Sequence, residues 1–106
     1  MSRPERSPES SLSELRRSID RIDRDLLTTL ARRLSLCAEV AELKKAHHIP
    51  MMQPARVELV LGRRSAEAPR YGLRADFVRR LYVMIIDEAC RLEDDIIEAE
   101  GPPSAR

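Results

Sequence analysis

Residues 15–41 read LRRSIDRIDRDLLTTLARRLSLCAEVA, and the spacing of their apolar side chains decides the fold. Leu15, Ile19, Ile22, Leu26, Leu30, Leu34, Ala38 and Ala41 recur at intervals of three and four, the period of one face of an α-helix. No Gly or Pro interrupts the run before Pro50, so the pattern predicts one helix from about Leu12 to about His47. A Ser-x-x-Glu capping candidate, Ser11 with Glu14, stands at its head. At about 1.5 Å per residue the helix is roughly 50 Å long, whereas a compact chain of ~100 residues has a radius of gyration of about 13 Å. Much of the apolar stripe therefore lacks cover within one chain. A second copy laid along the same stripe is the simplest remedy, so the expectation is an intertwined homodimer.

Beyond this helix, residues 49–53 read as a connector. Pro54, tolerated in a first helical turn, opens a shorter helix carried by Ala55, Val57, Leu59, Val60 and Leu61 and ending near Ala66. Pro69 and Gly72 then break the chain. A third helix follows from Arg74 or Asp76, carried by Phe77, Leu81, Met84, Ile85, Leu92 and Ile96, and stops before Gly101. No strand-like alternation and no internal repeat is visible. The fold class is all-α, with three helices in one domain over residues 12–100. Residues 1–11, rich in Ser, Pro, Glu and Arg, and residues 101–106, with Pro-Pro, read as loose tails.

Composition narrows the function. Nineteen Lys and Arg face 18 Asp and Glu, a formal net charge of +1, so no field over the whole chain favours nucleic acid or an anionic membrane. No apolar run approaches the ~20 residues that span a bilayer, and the first residues contain no apolar segment of signal-peptide type. The expectation is a cytoplasmic protein with neither nucleic acid nor membrane as partner. Cys37 and Cys90 lack CxxC spacing and read as buried free thiols. Nothing resembles a metal-ligand cluster, a nucleophile with its base, or a Gly-rich phosphate loop.

The charges that remain are placed unusually. Arg33 and Lys44, 11 positions apart, fall about 20° apart around an ideal helix and roughly 16 Å apart along it. Two such cations can bracket a small dianion, or they can form an ordinary solvated face. Arg16 points about 100° away from Arg33. It is either a surface residue or a contribution to another chain's pocket. Arg56 stands in the first turn of the second helix, where the dipole disfavours a cation but free N–H groups welcome an anion. Glu93 shares a face with Ile86, Ala89, Cys90, Ile96 and Ile97. Burial there would raise its pKa, while the alternative is an exposed member of the Glu93-Asp94-Asp95 run. His47 and His48 read as residues of a helix C-terminus.

The pattern L-R-x-x-I-D-x-I-D-x-x-L-L-x-x-L-A-R-R over residues 15–33, followed by Lys44, Arg56 and the run from Leu81 to Glu93, resembles the AroQ-type chorismate mutases. The resemblance covers roughly residues 12–97. It implies a dimer sharing long first helices, with two equivalent sites for a small dianionic substrate and no cofactor. Carried over by matched position, Arg33, Lys44 and Arg56 come from one chain and Arg16 from its partner. In that scheme Arg16 and Arg56 hold carboxylates, Arg33 assists at a carboxylate, and Lys44 donates to the ether oxygen. Such a site works by binding a compact diaxial conformer and stabilising charge as the ether bond breaks.

The chain departs from the common pattern in places that read the substrate. Gln53 and Val57 stand where the family pattern has carboxylates, Glu93 where it has Gln, and Ala89 where it commonly has Ser. The segment around Arg56 is more similar to the branch acting on altered ring substrates, the 4-amino-4-deoxychorismate mutases of antibiotic pathways and the isochorismate-pyruvate lyases. The implied function is a 3,3-pericyclic rearrangement of chorismate or 4-amino-4-deoxychorismate to prephenate or its amino counterpart. An isochorismate-pyruvate lyase and a non-catalytic helical dimer used for binding or regulation are the alternatives. The four cations count against the last, because a helical core needs none of them.

Overall fold

Ser7 and Pro8 start the first helix, ahead of the Ser11 start expected from the sequence. The computed structural model describes residues 7–50 and 53–99, and its first helix, α1, spans Pro8–Ala46, 39 residues. The Ser7 Oγ accepts the Ser10 backbone N–H at 3.1 Å, and the Ser7 carbonyl accepts from the Ser11 N–H at 3.0 Å. Pro8 follows with a fixed φ and no N–H to satisfy, which suits a first helical position. Residues 8–11 thus belong to the helix rather than to a tail. The expected tails at residues 1–6 and 101–106 lie outside the described residues.

The other end of α1 closes by a specific backbone pattern. The Ile49 N–H donates to the Lys44 carbonyl at 2.8 Å and the His48 N–H to the Lys45 carbonyl at 3.3 Å. These are the two bonds of a Schellman cap, with His48 in the left-handed position at φ 55°. A side chain there is unusual, since Gly takes this conformation without steric cost.

The second helix, α2, spans Pro54–Glu67. It runs directly into a 3-10 turn, Ala68–Tyr71, where the sequence suggested a break at Pro69. This turn closes on Gly72 at φ 71°, with the Gly72 N–H on the Pro69 carbonyl and the Leu73 N–H on the Ala68 carbonyl, both at 3.0 Å. A Cβ at Gly72 would meet nothing within 4 Å, so it is the positive φ, and not close packing, that calls for glycine. The third helix, α3, spans Ala75–Ala99. It starts between the two residues expected, with the Val78 N–H on the Arg74 carbonyl at 3.1 Å.

The chain divides after Arg33 into two units. The first is the N-terminal run of α1, where Leu15, Ile19, Ile22 and Leu26 are each at least 54% exposed. The second comprises the last turns of α1, α2, the 3-10 turn and α3. Its buried apolar residues are Ala41, Leu61, Ala68, Val78 and Ala89. Three of these are alanines, so little apolar area leaves water. Among the described residues no large side chain is fully buried. An ion pair between Arg79 Nη2 and Glu58 Oε2 at 3.4 Å joins α3 to α2; both side chains are largely exposed, and such a pair adds at most about 1 kcal/mol.

Candidate active site

Glu93 sits one helical turn after Ala89 on α3. Ala89 is buried and Glu93 half-buried, as the apolar neighbours on its face suggested. Burial pushes its carboxyl above the ordinary range, the Lys44 ammonium pulls it back down, and the adjacent Asp94 carboxylate adds to the rise. Desolvation is the largest of the three, so the acid form is favoured relative to a free glutamate. Lys44, half-buried in the last turns of α1, is therefore within electrostatic reach of Glu93 across two elements of one unit. The family resemblance places both residues at the ether oxygen of the substrate, whereas helical spacing alone gives no reason for them to lie near one another.

Next to them, Lys45 makes the contact that the sequence reading missed. Its Nζ donates to the Ile96 carbonyl at 3.2 Å and to the Ile97 carbonyl at 3.0 Å. A signal for it existed. Lys45 continues the apolar series of Leu34, Ala38 and Ala41 at the next interval of four, but a pattern that counts only apolar residues passes over a lysine.

Gln53 is the residue before α2, at φ −125° and ψ 90°, and its side chain caps no backbone group. Its carbonyl accepts the Arg56 N–H at 2.9 Å and the Val57 N–H at 3.2 Å, leaving the exposed amide side chain for other partners. Arg56 is exposed and Val57 half-buried. The first turn of α2 contains no acidic residue, so cation and helix dipole add there and make the turn receptive to an anion. The nearest carboxylate on the helix, Glu58, is engaged by Arg79.

Arg16 and Arg33 belong to the first unit, Arg16 exposed and Arg33 half-buried. Of the expected site residues, the structure puts Lys44 within electrostatic range of Glu93 and sets Gln53, Arg56 and Val57 on one helical start. Cys37 and Cys90 are free and only half-buried. The Cys90 thiol is pushed up by burial and then by the Glu93, Asp94 and Asp87 carboxylates, which disfavours the reactive thiolate.

A separate hollow of about 270 Å³ lies at the far end of α2, walled by Arg64, Ala68, Leu73, Val78 and Tyr82. It contains none of the expected site residues. Among the described residues no cluster of three or more His, Cys, Asp or Glu could hold a metal. No described helix is long and apolar enough to cross a membrane.

With this geometry in place, comparison with known proteins is specific. Residues 15–94 match the family of chorismate mutase type II. The chain is 41% identical over 93 residues to a 4-amino-4-deoxychorismate mutase of Streptomyces venezuelae, covering 88% of this chain and 90% of that one. It is 40% identical over 92 residues to a 4-amino-4-deoxychorismate mutase of Streptomyces pristinaespiralis, covering 87% and 71% respectively. An isochorismate pyruvate lyase of Pseudomonas aeruginosa is 36% identical over 77 residues, 73% of this chain and 75% of that protein.

Proposed function

The chain belongs to the type II chorismate mutases and is an isomerase of that kind, and from this premise we propose that its preferred substrate is 4-amino-4-deoxychorismate. The observation that carries the preference is the first turn of α2, which offers Arg56 but no carboxylate. A ring hydroxyl placed against Val57 would lack the carboxylate acceptor of the common pattern, at a cost of about 1–3 kcal/mol where nothing replaces it. The Gln53 amide can bond an amino group or a hydroxyl alike, so it is the Streptomyces relatives named for the amino substrate that support choosing the amino compound.

In the proposed mechanism Arg56 and Arg33 of one protomer and Arg16 of the other hold the two carboxylates and fold the substrate into its compact conformer. Holding the reacting termini together removes much of the entropic barrier. As the ether bond breaks, negative charge grows on its oxygen. Lys44 and protonated Glu93 donate to that oxygen, and fixed donors aimed at developing charge lower the barrier more than donors that must reorganise. No proton is transferred and no cofactor takes part. A homodimer with two equivalent sites is the assembly this requires, and the cytoplasm is the location we propose for it.

The test offers purified protein chorismate, isochorismate and 4-amino-4-deoxychorismate separately and identifies products by mass. The expected kcat/KM on the amino compound exceeds that on chorismate by roughly ten- to a hundredfold. Preference for chorismate would sink the specificity argument. Release of pyruvate from isochorismate would favour the lyase reading, which the Pseudomonas aeruginosa relative supports, and no turnover of any of the three would favour the non-catalytic dimer.

A further inference from the structure

An α-helix leaves its last four carbonyls without intrahelical donors, and the negative end of its dipole gathers there. For α3, ending at Ala99, these include Ile96 and Ile97. The helix has no basic residue in its own last turn, and Glu98 stands there with the charge that the dipole disfavours. The cation that the helix lacks comes from α1, as Lys45 Nζ donates at 3.2 Å to the Ile96 carbonyl and at 3.0 Å to the Ile97 carbonyl. Ile97 lies one turn beyond Glu93, and Lys45 is the neighbour of Lys44. The tie therefore joins α1 to α3 one residue from Lys44 and one turn from Glu93.

We propose that Lys45 is a positioning residue, a strut that holds the end of α3 against α1 and so fixes the separation of Lys44 and Glu93. It deepens the reading of those two as the ether-oxygen donors and rests on it. After burial, the described charges that shift Glu93 are Lys44 from α1 and Asp94 from its own helix, and the effect proposed for Lys45 on Glu93 passes through position. Without the strut, the last turns of α3 fray, Glu93 gains water, and the donor pair loses its spacing. A misplacement of about 1 Å in such a pair is enough to cost one to two orders of magnitude in rate.

The experiment compares the unaltered full chain with Lys45→Met, Lys45→Gln and Lys45→Arg. The Glu93 carboxyl is titrated by carbon-13 NMR, and kcat and KM are measured on 4-amino-4-deoxychorismate. In Lys45→Met, Glu93 should titrate nearer the ordinary carboxylate range, with kcat down about tenfold and KM within about twofold. Lys45→Gln, which keeps a shorter donor, should fall between. Lys45→Arg, whose guanidinium can reach the same carbonyls, should restore both readouts. A purely structural lysine would lower thermal stability and leave the Glu93 titration where it was, and that result in a folded Lys45→Gln protein overturns the proposal. Inactivity of the unaltered protein on every substrate would instead overturn the mutase reading, with the titration still deciding whether the strut exists.

Discussion

The Glu93 carboxyl on α3 is pushed up by its burial and pulled down by the Lys44 ammonium on α1, and the burial prevails. A carboxyl that keeps its proton above the usual range can donate to an ether oxygen, which a carboxylate cannot. The direction fixes the pH dependence. Activity should be full where Glu93 is protonated and fall as pH rises through its raised pKa. Glu93→Gln donates at every ordinary pH, so its rate profile should lose the high-pH limb. The same sign holds for folding. Because the folded state holds this proton more tightly than the unfolded one, the stability from Glu93 is complete at low pH and is lost as pH rises through the raised value. A pH–rate profile of the variant identical to that of the unaltered protein would remove Glu93 from the donor role.

Arg16 and Arg33 lie about 100° apart around an ideal helix and cannot both face one pocket of one chain. The shared-site dimer turns this into a complementation test. Arg16→Ala and Lys44→Ala proteins should each be nearly inactive, but a mixed dimer would carry both lesions in one site and neither in the other. After random subunit exchange, about a quarter of normal turnover should return. Sedimentation at low micromolar concentration should show twice the chain mass. An active monomer, or proven exchange with no recovery, would defeat the shared geometry.

Val57 is the position through which the substrate preference can be moved. Val57→Glu restores an acceptor beside Arg56 and should shift kcat/KM toward chorismate by roughly ten- to a hundredfold relative to the amino substrate. Equal changes on both substrates would mean that Val57 does not read the ring.

His48 tests the backbone rather than the chemistry. Its φ of 55° places a side chain where an L-residue pays about 1 kcal/mol or more and Gly does not. His48→Gly should therefore stabilise the protein by about 0.5–1 kcal/mol, raising Tm by several degrees. Activity should hardly change. Calorimetry showing a lower Tm would mean that the imidazole makes contacts worth more than the strain.

Much of this was legible in the amino-acid order. The three helices follow from periodicity, and the second from Pro54, because apolar spacing and the missing proline N–H act locally. The half-buried setting of Glu93 could be read from Ile86, Ala89 and Cys90 on its face. Other features could not. Ser7 and Ser11 are both competent caps, and the choice between them turned on Pro8, whose fixed φ suits a first helical residue. The continuation of α2 into a 3-10 turn through Pro69 depends on the Gly72 closure, which Pro-based punctuation does not reveal. The electrostatic coupling of Lys44 to Glu93, and the bonds of Lys45 to the end of α3, link residues about fifty positions apart, and only tertiary packing brings these within range.

The uncovered seam of Leu15, Ile19, Ile22 and Leu26 has a final consequence, for how the protein behaves as it is diluted. With a second copy as its cover, thermal resistance becomes a mass-action quantity that rises with the logarithm of protein concentration. A newly made chain would then be most open to proteases before it finds its twin. Heating curves taken at several concentrations would therefore not superimpose, and a single melting temperature quoted without its concentration would describe the tube rather than the molecule.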